Sequence, residues 1–214
     1  METQVTATEL RDIIVSSEFR KDLKVLSSDL ASIMQERPIV FLLAKHLRER
    51  GHKCDLEVNR KDLSINDKHV EFKFNYDKVA GTINRELKKW PDLKQMWQLV
   101  EEGMINSKSW PVLPKIYKDV CHKKPHLFVW IICSRNLSKL NDEELKHICF
   151  GRETATFNKK HPFNSDDEIH TAVDRFLNKL KEERPFSDFR EAAIETQGDN
   201  FTSTYHFRIL EYAS

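Results

Sequence analysis

The stretch "RKDLSINDKHVEFKF", residues 60–74, alternates Leu63, Ile65, Val70, Phe72 and Phe74 with Asp62, Ser64, Glu71 and Lys73. A period of two is that of a strand with one buried face, and a polar break at the middle makes the stretch a hairpin. A two-residue turn falls at Asp67-Lys68 or at Asn66-Asp67. The first sets Asp62 against Lys73 and Ser64 against Glu71, and the second sets Asp62 against Glu71. Opposed residues share a face, so either turn puts Asp62, Ser64, Glu71 and Lys73 on one side and the apolar set on the other.

Outward from the hairpin, "KCDLEVN" (53–59) alternates in the same way and adds a strand with Glu57 on its polar side. Before it, "ERPIVFLLAKHLRERG" (36–51) is a core helix, with Pro38 in the first turn and Gly51 ending it. The first 35 residues carry apolar positions at helical spacing and predict two short helices, with Ser27-Ser28 as break or cap. After the hairpin, residues 77–103 are helical with an interruption near Pro91. The segment 106–114 has loop composition, and "LFVWIIC" (127–133) is a strand covered on both faces. "NDEELKHICF" (141–150) predicts a helix, and Ser165 with Glu168 forms a capping-box pattern ahead of a longer one. "FTSTYHFRILEY" (201–212) alternates as a late strand. The expected order is helices, three strands, helices, one buried strand, helices and one strand, an α/β chain with a mixed sheet flanked by helices.

The 214 residues suffice for one elaborated domain, and 35 basic against 34 acidic side chains leave a net charge of +1. Any polyanion-binding surface must therefore come from local clustering. No secretory signal is read at the start and no apolar run approaches the ~20 residues of a membrane-spanning helix, so a cytoplasmic setting without membrane contact is expected. The four cysteines (54, 121, 133, 149) lack the spacing of a zinc site. Cys121-His122, His126 and Cys133 accordingly read as core or surface residues. No phosphate-cradling glycine loop and no nucleophile-elbow motif occurs.

Two or three carboxylates held close together repel, which raises the pKa of at least one unless a cation intervenes. A hard divalent ion such as Mg²⁺ is the usual remedy, and an adjacent lysine then suits a phosphate or an attacking water. The competing interpretation of Asp62, Glu71 and Lys73 is a solvated polar face with a cross-strand ion pair worth about 0.2–1 kcal/mol.

With an acidic residue opening one hairpin strand, a Glu-X-Lys tripeptide (Glu71-Phe72-Lys73) on the next and a helix carrying Glu36 ahead of both, the chain resembles the PD-(D/E)XK nuclease superfamily. The similarity covers about residues 30–135 and departs from the motif at Lys61, which stands where the name-giving proline would be. It implies a restriction-endonuclease-like core over that range, within a single nuclease domain that carries an N-terminal helical segment and a C-terminal helix-and-strand extension. It also implies that Asp62, Glu71 and the Phe72 carbonyl bind Mg²⁺, with Mn²⁺ as a substitute. Lys73 would orient the attacking water and Glu36 would serve a second metal or a water, with Glu57 as a weaker accessory. The activity implied is hydrolysis of DNA phosphodiesters by a restriction or other defence endonuclease, acting as a homodimer in the manner common to such enzymes. The alternatives are a non-catalytic binding or scaffold protein that keeps the fold, and a repair or recombination nuclease.

For DNA contact, "KSWPVLPKIYKDVCHKKPH" (108–126) sets Lys108, Lys115, Lys118, Lys123 and Lys124 among Trp110 and Tyr117 in what reads as a loop-rich segment. "FNKKHPFN" (157–164) is a second basic segment. The first is equally compatible with a solvated basic loop, and the second, a weaker candidate, reads more as a plain surface loop.

Overall fold

The hairpin forms, preceded by the expected strand: β1 (Cys54–Leu56), β2 (Leu63–Ile65) and β3 (Lys68–Tyr76) make an antiparallel meander. The computed structural model describes residues 4–29, 36–56, 62–76, 79–105, 112–136, 165–197 and 202–213. Leu63 pairs with Val70 and Ile65 with Lys68, so of the two turns the chain uses Asn66-Asp67. Both residues have left-handed backbones (φ 48° and 64°), as a type I′ turn requires, and its twist matches that of the strands it joins. The Asn66 side chain also accepts from the Lys53 N–H at 2.9 Å and so ties the turn to the approach of β1. Asp67 has no comparable backbone anchor; its contact is an exposed ion pair with Lys53 at 3.6 Å. Replacing Asp67 by Gly removes a left-handed L-residue penalty of about 1–2 kcal/mol and adds a smaller entropic cost. Urea melts of Asp67→Gly should therefore show a gain of roughly 0.5–1 kcal/mol.

Helices α1 (Ala7–Ile14), α2 (Ser17–Asp29) and α3 (Glu36–Glu49) supply Leu10, Phe19 and Leu43 to one buried cluster. It covers one face of the sheet through Val70, Phe72, Val129, Phe207 and Ile209. The break between α1 and α2 lies at Val15-Ser16, not at Ser27-Ser28. Ser16 makes the break because its hydroxyl donates to the Ile13 carbonyl (2.7 Å) and accepts from the Phe19 N–H (3.3 Å). Ser27 lies inside α2, where its buried hydroxyl meets those of Thr196 (3.1 Å) and Tyr205 (3.0 Å). Gly51 follows α3 at φ 89°, the left-handed position that favours glycine.

On the other face lie α4 (Val79–Lys89), α5 (Leu93–Glu101), α6 (Val112–Tyr117) and α7 (Asp166–Glu183). Ile83, Met96, Ile116 and Phe176 pack there against Phe128, Trp130, Ile132 and Leu210. Pro91 separates α4 from α5, and Asp92 caps α5 by accepting from the Gln95 N–H at 2.9 Å. The capping box at Ser165 and Glu168 is present. Among the described residues no helix is long and apolar enough to cross a membrane.

Between these layers runs β4 (Leu127–Asn136), whose residues from Leu127 to Cys133 are all buried, alternating between the two clusters. It pairs parallel with β3, which requires a crossover, and α4 to α6 provide it. Two further strands, β5 (Asp188–Gln197) and β6 (Thr202–Glu211), complete a mixed sheet of order β1-β2-β3-β4-β6-β5. The described residues thus form an α/β fold with six strands, one more than expected.

The unforeseen strand is β5, whose "REAAIETQ" is rich in helix formers. Pairing with β6 overrides that propensity: Ala192, Ile194 and Thr196 are buried while Glu191, Ala193, Glu195 and Gln197 face out. β6 adjoins β4, so these C-terminal strands continue the sheet, and the Ala7 N–H donates to Glu211 of β6 at 2.7 Å. The segment from Val112 is also corrected: it is helix α6 and a π-helical turn (Lys118–His122), not loop. Leu113, Ile116, Tyr117 and Val120 recur at helical spacing and are buried, whereas the lysines between them had suggested a loop. Lys108, Glu57, Cys149, the helix expected at 141–150 and the basic segment 157–164 lie outside the described residues.

Candidate active site

Glu71 and Lys73 leave β3 on the face opposite Val70 and Phe72, beside Phe128 and Trp130 of β4. Phe128 and Trp130 put apolar surface against this side of β3, and Glu71 is 2 % exposed. A carboxylate so enclosed needs partners, and both oxygens have one. Oε2 meets His69 Nε2 at 2.9 Å, and Oε1 accepts from the Lys123 ammonium. Lys123 also reaches Asp119 Oδ1 at 2.9 Å, while Lys73 donates to Asp119 Oδ2 at 3.2 Å. Asp119 is itself buried.

Asp62 precedes β2, where the ladder would set it against Glu71, and its Oδ2 accepts from the Phe72 N–H at 2.8 Å. Burial raises its pKa; the Phe72 N–H opposes this, Glu71 and Asp119 add to it, and Lys123 opposes it. Glu36 lies in the first turn of α3, where the Phe74 N–H acts to lower its pKa. Burial, with the charges of Asp62 and Glu71, pushes its carboxyl up to about 7 despite Lys73. Lys123 moves the other way from a typical interior lysine: burial lowers its pKa, but the bonds to Glu71 and Asp119 outweigh that and raise it.

Helix α6 sets the second wall. Glu86 of α4 accepts from the N–H groups of Val112 (3.2 Å) and Leu113 (2.9 Å), pinning the helix start. At the other end the Arg184 guanidinium donates to the carbonyls of Val120 (2.7 Å) and Pro125 (2.9 Å) while lying 3.7 Å above the Tyr212 ring. Between these anchors the Lys123 N–H bonds to the Lys118 carbonyl at 3.1 Å and closes the π-helical turn. Asp119 and Lys123, four residues apart, thereby project toward β3.

No family model, curated protein or solved structure matches the chain.

The structure therefore brings together Glu36, Asp62, Glu71 and Lys73, all named from the sequence, and adds His69 and Asp119. Lys123, read as a DNA contact, turns its ammonium onto Glu71 and Asp119. Lys115, Lys118 and Lys124 are exposed on the segment flanking the site. Asp119 was legible only as the i, i+4 partner of Lys123, once the segment is known to be helical.

Four carboxylates (Glu36, Asp62, Glu71, Asp119) face two ammonium groups (Lys73, Lys123), so full ionisation leaves the cluster at −2. Hard oxygen donors with that residual charge suit Mg²⁺ or Mn²⁺ in kind. Among the described residues, however, no three His, Cys, Asp or Glu side chains are already arranged as a ligand set. On Glu71 an ammonium stands where such an ion would bind.

Proposed function

We propose that the chain is a metal-dependent endonuclease hydrolysing DNA phosphodiesters, with a restriction-endonuclease-like core. The observation that carries this is the convergence of Glu36, Asp62, Glu71 and Lys73 at β3, from a helix, the approach to a hairpin strand and the next strand. That order, followed by a parallel strand reached through helices, agrees with what the family resemblance implies. Within the class, the resemblance favours a restriction or other defence enzyme.

The residues divide the work by environment. Asp62, Glu71 and the Phe72 carbonyl would hold Mg²⁺, which when bound supplies Lewis-acid stabilisation of charge on the phosphate. Lys73, 26 % exposed on its side chain and braced by Asp119, points a fixed positive charge at the same region for the phosphate and the attacking water. Glu36, with a pKa of about 7, suits proton transfer near neutral pH, since a general base works best when its pKa matches the working pH. Exposed Lys115, Lys118 and Lys124 would meet the DNA backbone and position it without reading sequence.

Incubation with supercoiled plasmid and Mg²⁺ should yield nicked and linear DNA, and EDTA should abolish it. Discrete fragments would indicate site-specific cutting. Intact double-stranded and single-stranded DNA across Mg²⁺ and Mn²⁺ would overturn the proposal and leave a nucleic-acid-binding or scaffold role for the fold.

A further inference from the structure

The four oxygens of Glu71 and Asp119 are all engaged, and among the described residues Lys123 alone bridges the two. Its charge also acts on Asp62, so one ammonium serves three carboxylates from three parts of the chain. A divalent ion drawn to these carboxylates would compete with that ammonium, because the two cations on the same Glu71 oxygen would repel strongly. The backbone on either side of Lys123 is held by Arg184 through the Val120 and Pro125 carbonyls. The side chain is different: it is a four-carbon tether, 33 % exposed, able to swing outward without moving the backbone.

We propose that Lys123 is a built-in counter-cation that holds the acidic cluster together in the metal-free protein and is displaced from Glu71 when a divalent ion binds. This rests on the metal-site reading above and adds a regulatory step to it. Occupation of the site becomes an exchange of one cation for another, and metal affinity is set by how firmly Glu71 and Asp119 hold the ammonium. Displacement also turns Lys123 outward, beside exposed Lys124, where its charge becomes available to a phosphate.

Mn²⁺ binding, followed by the loss of the free-ion electron paramagnetic resonance signal, tests this without reference to cleavage. Lys123→Ala should bind Mn²⁺ on the order of tenfold more tightly than the wild-type chain, and Glu71→Gln should abolish binding in both backgrounds. Lys123→Gln, which keeps N–H donors for Glu71 and Asp119 without the charge, should show the same direction and guards against loss of fold in the alanine variant. Equal or weaker affinity in both Lys123 variants would overturn the displacement while leaving the metal site standing. Binding that survives Glu71→Gln would overturn it as well, by placing the ion elsewhere. Absence of binding in wild-type and variants alike would instead remove the metal site itself. An independent measurement needs no variant at that position: reductive methylation of wild-type Lys123, mapped by peptide mass spectrometry, should become severalfold faster when Mg²⁺ is added. An unchanged rate would overturn the exchange.

Discussion

Lys73→Ala should lower the single-turnover rate of plasmid cleavage by about 10²–10³-fold at saturating Mg²⁺ while leaving the protein folded. On the proposed function the loss would be large, because a fixed charge beside the scissile phosphate would act where negative charge develops, with no reorganisation at that moment. The fold should survive because β3 is held by its backbone ladders to β2 and β4 and by the opposite face, where Val70 and Phe72 are buried. Asp119 loses the Lys73 bond to Oδ2 but keeps Lys123 on Oδ1, so the cost to stability should be modest. Lys115→Ala, an exposed change on α6, is the matching control and should alter the rate by only a few-fold through weaker backbone contact. Equal rates for Lys73→Ala and wild-type would remove Lys73 from the chemistry, and a collapse in melting temperature would assign it to structure.

The second large effect is on stability, and its sign follows from Glu36. Folding raises this carboxyl from 4.5 to about 7, so between those values the folded chain holds a proton that the unfolded chain has released. Stability therefore falls as pH rises through that window, and above about 7 the whole penalty is present. With allowance for partial solvent access, the penalty is on the order of 2 kcal/mol. Glu36→Gln removes the charge and keeps the side chain's size and an oxygen acceptor. Urea melts with EDTA present should show Glu36→Gln gaining most of that amount over wild-type at pH 8, with a clearly smaller gain at pH 5. Comparing the two chains at each pH cancels the titration of other groups. A gap that does not grow between pH 5 and pH 8 would mean that Glu36 folds with an ordinary carboxylate pKa.

These effects concern residues that were legible in different degrees. The hairpin could be read because its information is local: a period of two, and a turn sequence able to adopt left-handed backbones. That sufficed to put Asp62, Glu71 and Lys73 on one face, and Asn66-Asp67 then decided between two turns that gave the same faces. The continuous apolar run of β4 likewise announced a strand with both faces covered. The capping box of α7 is a four-residue signal and formed as expected.

What escaped depended on partners distant in sequence. β5 carries helix-forming alanines and glutamates, and becomes a strand because β6 offers it a ladder and a buried row for Ala192, Ile194 and Thr196. Ser27 looked like a helix break because serine competes for backbone hydrogen bonds. It is tolerated within α2 because Thr196 and Tyr205 occupy its hydroxyl instead.

By itself, then, the sequence determined the α/β alternation of elements, the hairpin and the common face of its charged residues. These follow from side-chain periodicity and turn chemistry acting over a few residues. Only the tertiary structure decided which cation answers Glu71. The crossover through α4 to α6 returns the chain 52 positions downstream of Glu71, and there Lys123 meets the carboxylate that sequence reasoning had reserved for a metal. Charges are matched by proximity in space, and no local pattern records which segment the sheet will bring alongside.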